Sequence, residues 1–209
     1  MRLTNPLDKI LSSEIKVRAL RVFCRRNGEF SGRQIARMIG VTPKTAHEVL
    51  QGLLREGLLL MRAAGKTHLF RLNEDLAIVQ SILKNLFTQE EGLKERLLKT
   101  IIEAVKRSSL KRDILSVVLF GSIYEKTERP ASDLDLFIVV KTAEDKKKTE
   151  DLFFQIDERI SSRWGNPVAP YVNGLAEFRN KAKKKTGVVP HILKSYQLIY
   201  GDRLEKLLR

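Results

Sequence analysis

Two short apolar runs, Val117 to Phe120 and Leu134 to Val140, flank a polar stretch that opens on Gly121-Ser122 and closes on Asp133. Runs this short, bounded by Gly and Pro and rich in Val, Leu, Ile and Phe, predict two strands covered on both faces. Alternate side chains of a strand share a face, so Asp133 and Asp135 point one way and Leu134 and Leu136 the other. Two carboxylates about 7 Å apart along a strand repel each other, and a cation between them relieves the repulsion. Hard oxygen ligands on a rigid strand suit Mg²⁺ (or Mn²⁺), which is bound through one or two carboxylates together with substrate phosphates. Gly121 leaves room for a ligand to approach the backbone, and a helical turn after it would make Ser122 and the next amides an anion site. Acidic metal ligands facing such a cradle read as a phosphoryl- or nucleotidyl-transfer site.

Gly121-Ser122, ten residues, then Asp133-Leu134-Asp135 resembles the signature of the DNA polymerase β-like nucleotidyltransferases, and of their minimal branch in particular. The resemblance spans roughly residues 110–205. It implies an α/β (α+β) domain with a small mixed sheet flanked by helices. It also implies a reaction: Mg²⁺-dependent transfer of a nucleoside monophosphate from a nucleoside triphosphate, ATP by expectation, to an acceptor hydroxyl. Asp133 and Asp135 would then be catalytic and metal-binding, and Gly121 and Ser122 would hold the phosphates. In this family a third carboxylate on the neighbouring strand usually completes the metal site. The strand expected there, residues 168–173, holds no Asp or Glu, which leaves Asn173 and Glu177 as substitutes. Lys184, within the basic run Lys183-Lys184-Lys185 and near Lys181, is a further nucleotide-binding candidate. Two functions follow: a nucleotidyltransferase targeted by a DNA-binding domain, or a transcriptional regulator whose nucleotidyltransferase-like domain only binds nucleotide or is inactive. Resemblance of minimal nucleotidyltransferases to antitoxin components suggests a third.

The N-terminal part predicts a different domain. Asn5-Pro6 reads as a helix start and Asn27-Gly28 as its stop. Ser31 is expected to cap a short helix, Gly40 to turn the chain, and Thr42-Pro43 to open a third helix ending near Glu56. Short helix, Gly turn and capped helix resemble a helix-turn-helix, with residues 58–72 as a β-hairpin wing. Lys44, Thr45, His47 and Gln51 on the third helix, with Arg62 and Lys66 at the hairpin tip, are the expected DNA contacts. The net charge of +14 agrees with an anionic partner. Residues 1–75 carry 14 Lys and Arg against 7 Asp and Glu, a denser excess than in the rest of the chain.

The expected organisation is therefore a winged helix-turn-helix over 1–75, a linker helix over 76–92 and a nucleotidyltransferase domain over 93–209. Asn73 is expected to cap the linker helix, and Thr88 with Glu91 to form a capping box for the next. The linker helix could also serve a homodimer. A helix over about 143–163, an edge strand broken by Pro170, two shorter helices, a strand near Tyr196–Tyr200 and a closing helix complete the pattern. The lone Cys24 excludes an intramolecular disulfide and a cysteine-based zinc site. With no signal peptide and no run of 18 apolar residues, no membrane partner and a cytoplasmic location are expected.

Overall fold

The computed structural model describes residues 3–209, and the chain divides into two compact units, Met1–Leu93 and Lys94–Arg209. No helix among the described residues is long and apolar enough to cross a membrane.

The first unit is a winged helix-turn-helix. The expected long first helix is two helices, α1 (Leu7–Ile10) and α2 (Glu14–Arg25). The break falls at Ser12-Ser13 because the Ser13 side chain accepts from the Lys16 amide and starts a new helix. A two-residue strand, β1 (Phe30–Ser31), leads into α3 (Gly32–Ile39). There Ser31 and Gln34 form a reciprocal capping box, and Gly40 closes the helix at φ 68°. Thr42 caps α4 (Pro43–Arg55), whose first residue is the proline. β2 (Leu59–Ala64) and β3 (Thr67–Leu72) form the wing, and β1 pairs with β3 on the other side. Ala64 pairs with Thr67, so the tip is only Gly65-Lys66 and Arg62 lies back on the strand.

The segment read as a linker helix is built into this unit. Asn73 does not cap it: its side-chain amide donates to the Gly57 carbonyl at 2.9 Å. A π-helical turn, Val79–Leu83, runs into α5 (Lys84–Glu91). Val79, Leu83 and Phe87, spaced four apart, are buried in one core with Leu20, Phe23, Leu50 and Phe70. Arg21 grips Glu90 through two 2.7 Å hydrogen bonds, and Arg25 adds a third at 3.1 Å. The Thr88–Glu91 capping box is absent, because the Thr88 hydroxyl donates to the Lys84 carbonyl inside α5 and the helix breaks one residue past Glu91, at Gly92. Cys24 is a half-buried member of this core, and burial pushes its thiol up to about 11.

The second unit is a three-layer α/β sandwich. Its strands are β4 (Ile114–Leu119), β5 (Leu134–Val140), β6 (Val168–Gly174) and β7 (Gln197–Gly201), in the order β6-β5-β4-β7. β5 and β6 run parallel and the other pairs antiparallel, so the sheet is mixed. β6 carries Pro170 and sits at an edge, the only place a residue without an N–H costs the ladder nothing. One face is covered by α6 (Leu93–Arg107) and α8 (Glu144–Trp164), which bury Leu98, Ile101, Phe153 and Ile160 against Leu134, Leu136 and Ile138. The other face carries α9 (Leu175–Lys184), α10 (Val189–Ile192) and α11 (Leu204–Leu207), packed on Val118, Phe137 and Val139. A one-turn helix, α7 (Gly121–Glu125), follows β4. Thr142 and Asp145 cap the start of α8 reciprocally.

Because Phe87 is 2% exposed and anchors the last helix of the first unit, Phe87→Ala should cost that unit about 3–5 kcal/mol. Guanidinium unfolding of the full chain should show an earlier transition; an unchanged profile would mean that α5 is not part of the first unit's core.

Candidate nucleotide site and nucleic-acid interface

The two halves of the acidic motif meet as their spacing predicts. β4 and β5 pair in register, Leu119 opposite Leu136, so the end of β4 lies beside the start of β5. The Phe120 amide then donates to the Asp135 carbonyl at 3.1 Å, and the chain turns into α7 at Gly121, φ 70°. Any Cβ at Gly121 would overlap the Asp135 carboxylate, so the position demands glycine both for its conformation and for its space. Ser122 lies in the first turn of α7.

Asp133 is exposed and immediately precedes β5, whereas Asp135 is half-buried within it. Burial first, and the neighbouring Asp133 charge second, hold the Asp135 carboxyl above its usual range. Neither carboxylate has a hydrogen bond or ion pair to a protein group among the described residues. Two mutually repelling acids without a cationic neighbour, set against a glycine cradle, fit a divalent cation and the phosphates it would bridge.

The third carboxylate is missing. Parallel pairing sets Ala169 beside Asp135, Tyr171 beside Phe137 and Asn173 beside Val139. Asn173 therefore lies four residues farther along the sheet, about 13 Å away, and cannot share a ligand with Asp135. Its side-chain amide donates to the Val172 carbonyl and to Glu177. Glu177 is also held by Lys146 at 2.8 Å and Lys181 at 2.7 Å, so neither substitute expected from the sequence serves the site. No group of three His, Cys, Asp or Glu residues among those described could hold a metal. Lys181, bonded to Glu177 and the Tyr171 hydroxyl, is occupied, while Lys184 is exposed in the last turn of α9.

The model of the polymerase beta nucleotidyltransferases matches residues 99–203, half of the chain. The chain belongs to this family. No curated protein matches it. Among solved structures, the transcriptional repressor BigR from Xylella fastidiosa is 25% identical over 40% of this chain and 81% of its own, with a TM-score of 0.35. A homodimeric winged helix-turn-helix DNA-binding domain from Mycobacterium bovis is 24% identical over 43% and 76%, with a TM-score of 0.33. A toxin–antitoxin structure with AMP-PNP is 15% identical over 53% and 80%, with a TM-score of 0.37. In this chain the acid pair lies beside the glycine turn, and the residue paired with Asp135 on β6 is Ala169.

The expected DNA-contacting residues fall into two groups. Lys44 and His47 are exposed near the start of α4, and Lys66 is exposed at the wing tip. Thr45 spends its hydroxyl on Thr42 at 2.9 Å and its amide on the same cap, and Gln51 is half-buried farther along the helix. Arg62 is tied to Glu29 by bonds of 2.8 and 2.9 Å, which corrects its assignment to the tip. A groove between α3, α4 and the wing is lined by Arg33, Pro43, His47, Lys66, Thr67 and His68, with no acid among them. Sequence periodicity missed Arg33 and His68, which reach this groove only because the wing folds back beside α3.

Asp135 has its folded pKa above its unfolded value, so its ionised form carries a folding penalty that is complete above that raised pKa and relieved as pH falls through it. Asp135→Asn should leave the melting temperature unchanged or higher at neutral pH and abolish the shift produced by Mn²⁺. A wild type whose melting is insensitive to Mn²⁺ and Mg²⁺ would contradict the cation reading.

Proposed function

We propose that this protein is a winged-helix DNA-binding regulator whose nucleotidyltransferase-family domain binds a nucleoside triphosphate with a single Mg²⁺ and transfers little or nothing. The observation that carries this reading is Ala169 beside Asp135, where a third acid would sit. Gly121 and Ser122 hold the phosphates, Asp133 and Asp135 hold the ion, and Lys184 supplies a cation from α9. Bound there, Mg²⁺ (or Mn²⁺) neutralises phosphate charge and polarises the phosphoryl oxygens. With two acids instead of three, β6 offers no third carboxylate beside Asp135 to take a proton from an acceptor hydroxyl. Lys44, His47 and Lys66, with Arg33 and His68, face the DNA backbone and groove. Exposed Ile82, in the π-helical turn, and Leu86, in α5, lie four residues apart and support a homodimer.

A transferase remains the second reading, favoured by the intact glycine turn and acid pair. The two separate in one experiment. The full chain is incubated with α-labelled nucleoside triphosphate and Mg²⁺, and both label transfer and affinity for a selected DNA site are followed. The regulator reading expects a nucleotide-dependent change in DNA affinity, no transfer by the wild type, and gain of transfer in Ala169→Asp. Transfer by the wild type that disappears in Asp133→Ala with Asp135→Ala establishes the transferase instead.

For the DNA face, Lys66→Ala should weaken binding uniformly across sequences and reduce the salt dependence by about one released counterion. Arg62→Ala, which removes a guanidinium already engaged by Glu29, should change it less. Equal losses would place Arg62 on the DNA.

A further inference from the structure

The two acids are held in different ways. Asp135 is half-buried within β5, whereas Asp133 is exposed at the end of the loop that joins α7 to that strand. With no protein partner for its carboxylate among the described residues, Asp133 is placed by its backbone.

Both peptide groups that flank Asp133 are tied to the turn between α8 and β6. Ahead of it, the Ser132 carbonyl accepts from the Asn166 side-chain amide at 2.9 Å. Behind it, the Leu134 amide donates to the Pro167 carbonyl at 2.7 Å. The second bond leads into the parallel ladder, where Leu134 lies opposite Val168. The first belongs to no ladder: a side chain reaches a loop 34 residues away in sequence. Ser132 spends its other groups locally. Its amide donates to the Arg129 carbonyl at 3.0 Å, and its hydroxyl accepts from the Arg129 amide at 2.9 Å. Residues 129–132 thus close into a turn, with Ala131 at φ 62°. Asn166 ties this turn to the edge of the sheet.

Asn166 is itself firmly seated. Gly165 ends α8 at φ 78°, with its amide on the Ser161 carbonyl, and the chain passes through Asn166-Pro167 into β6. A residue before proline has a restricted backbone. Asp157 of α8 accepts from the Val168 amide at 2.6 Å, which pins the start of β6 to the helix. A hard cation shared by two carboxylates needs both at a set separation, and a ligand on a loose backbone gives up affinity in being ordered.

We propose that Asn166 is a positioning residue for the cation: by holding the Ser132 carbonyl it fixes the backbone of Asp133 and presents that carboxylate beside Asp135. The proposal rests on the cation reading of the acid pair and adds to it a residue outside the acidic motif.

The test follows Mn²⁺ affinity of the full chain by water-proton relaxation, and melting without metal by circular dichroism. Asn166→Ala should weaken Mn²⁺ binding by about tenfold or more, the loss typical when a group that orients a metal ligand is removed. Asn173→Ala removes a more deeply buried amide at the far end of the same sheet and should leave Mn²⁺ affinity as it was, whatever it does to melting. In an Asp133→Ala background, Asn166→Ala should bring no further loss, because the carboxylate it positions is gone. Asn166 is half-buried in a turn, so its variant is expected to fold, and the metal-free melt checks that it does. Mn²⁺ binding that is unchanged by Asn166→Ala, equally weakened by Asn173→Ala, or further weakened in the Asp133→Ala background overturns the positioning role while the cation site stands. No Mn²⁺ binding by the wild type overturns the cation reading itself, and this proposal with it.

Discussion

The candidate site depends on the contact between Gly121 and the Asp135 carboxylate. It brings the end of β4 to the start of β5 so closely that no side chain fits between them. The turn into α7 follows from the positive φ that glycine alone adopts without strain. With the turn fixed, the acid pair and the first amides of α7 share one small region, and the rest of the sheet holds them there. A half-buried carboxylate beside another carboxylate disfavours its own charge. The arrangement is one that a divalent cation would relieve.

The two-sided burial of the sheet keeps this region rigid. Leu134, Leu136 and Ile138 face α6 and α8, while Phe137 and Val139 face the layer formed by α9, α10 and α11. Asp135 belongs to the second alternation, so its face is shared with Phe137 and, across the parallel pairing, with Ala169 and Tyr171. The same alternation carries Asn173 to the far end of β6, where it meets Glu177 in the first turn of α9. There, Lys146, Lys181 and the Tyr171 hydroxyl complete a polar tie between α8, α9 and β6 that stabilises the layer rather than the site.

In the first unit the cap residues do most of the local specification. Ser13, Ser31 and Thr42 each satisfy an amide that a helix start would otherwise leave unpaired. The apolar stripe Val79, Leu83 and Phe87 then joins α5 to the winged-helix core, backed by the Arg21–Glu90 fork. Arg33, His47, Lys66 and His68 line the groove between α3, α4 and the wing, and no acid is among its lining residues.

Much of the molecule was legible as sequence, because the signals were local. Caps, glycine turns, a proline at an edge strand and two apolar runs around a Gly-Ser and an Asp-Leu-Asp act within a few residues, and they determined the helix starts, the strand positions and the acid pair. Local signals failed where a nearby alternative competed: Ser13 split the first helix, Thr88 bonded back within α5, and Asn73 turned to Gly57. Tertiary structure alone decided which residues sit opposite one another. The parallel register of β5 and β6 joins segments more than thirty residues apart, and only that register reveals Ala169, not Asn173, as the neighbour of Asp135. The bond from Asn166 to the Ser132 carbonyl likewise joins residues 34 positions apart, brought together because β6 adds to β5. Side-chain spacing along a chain sets faces and caps; pairing between distant strands is set by packing, and no short pattern encodes it.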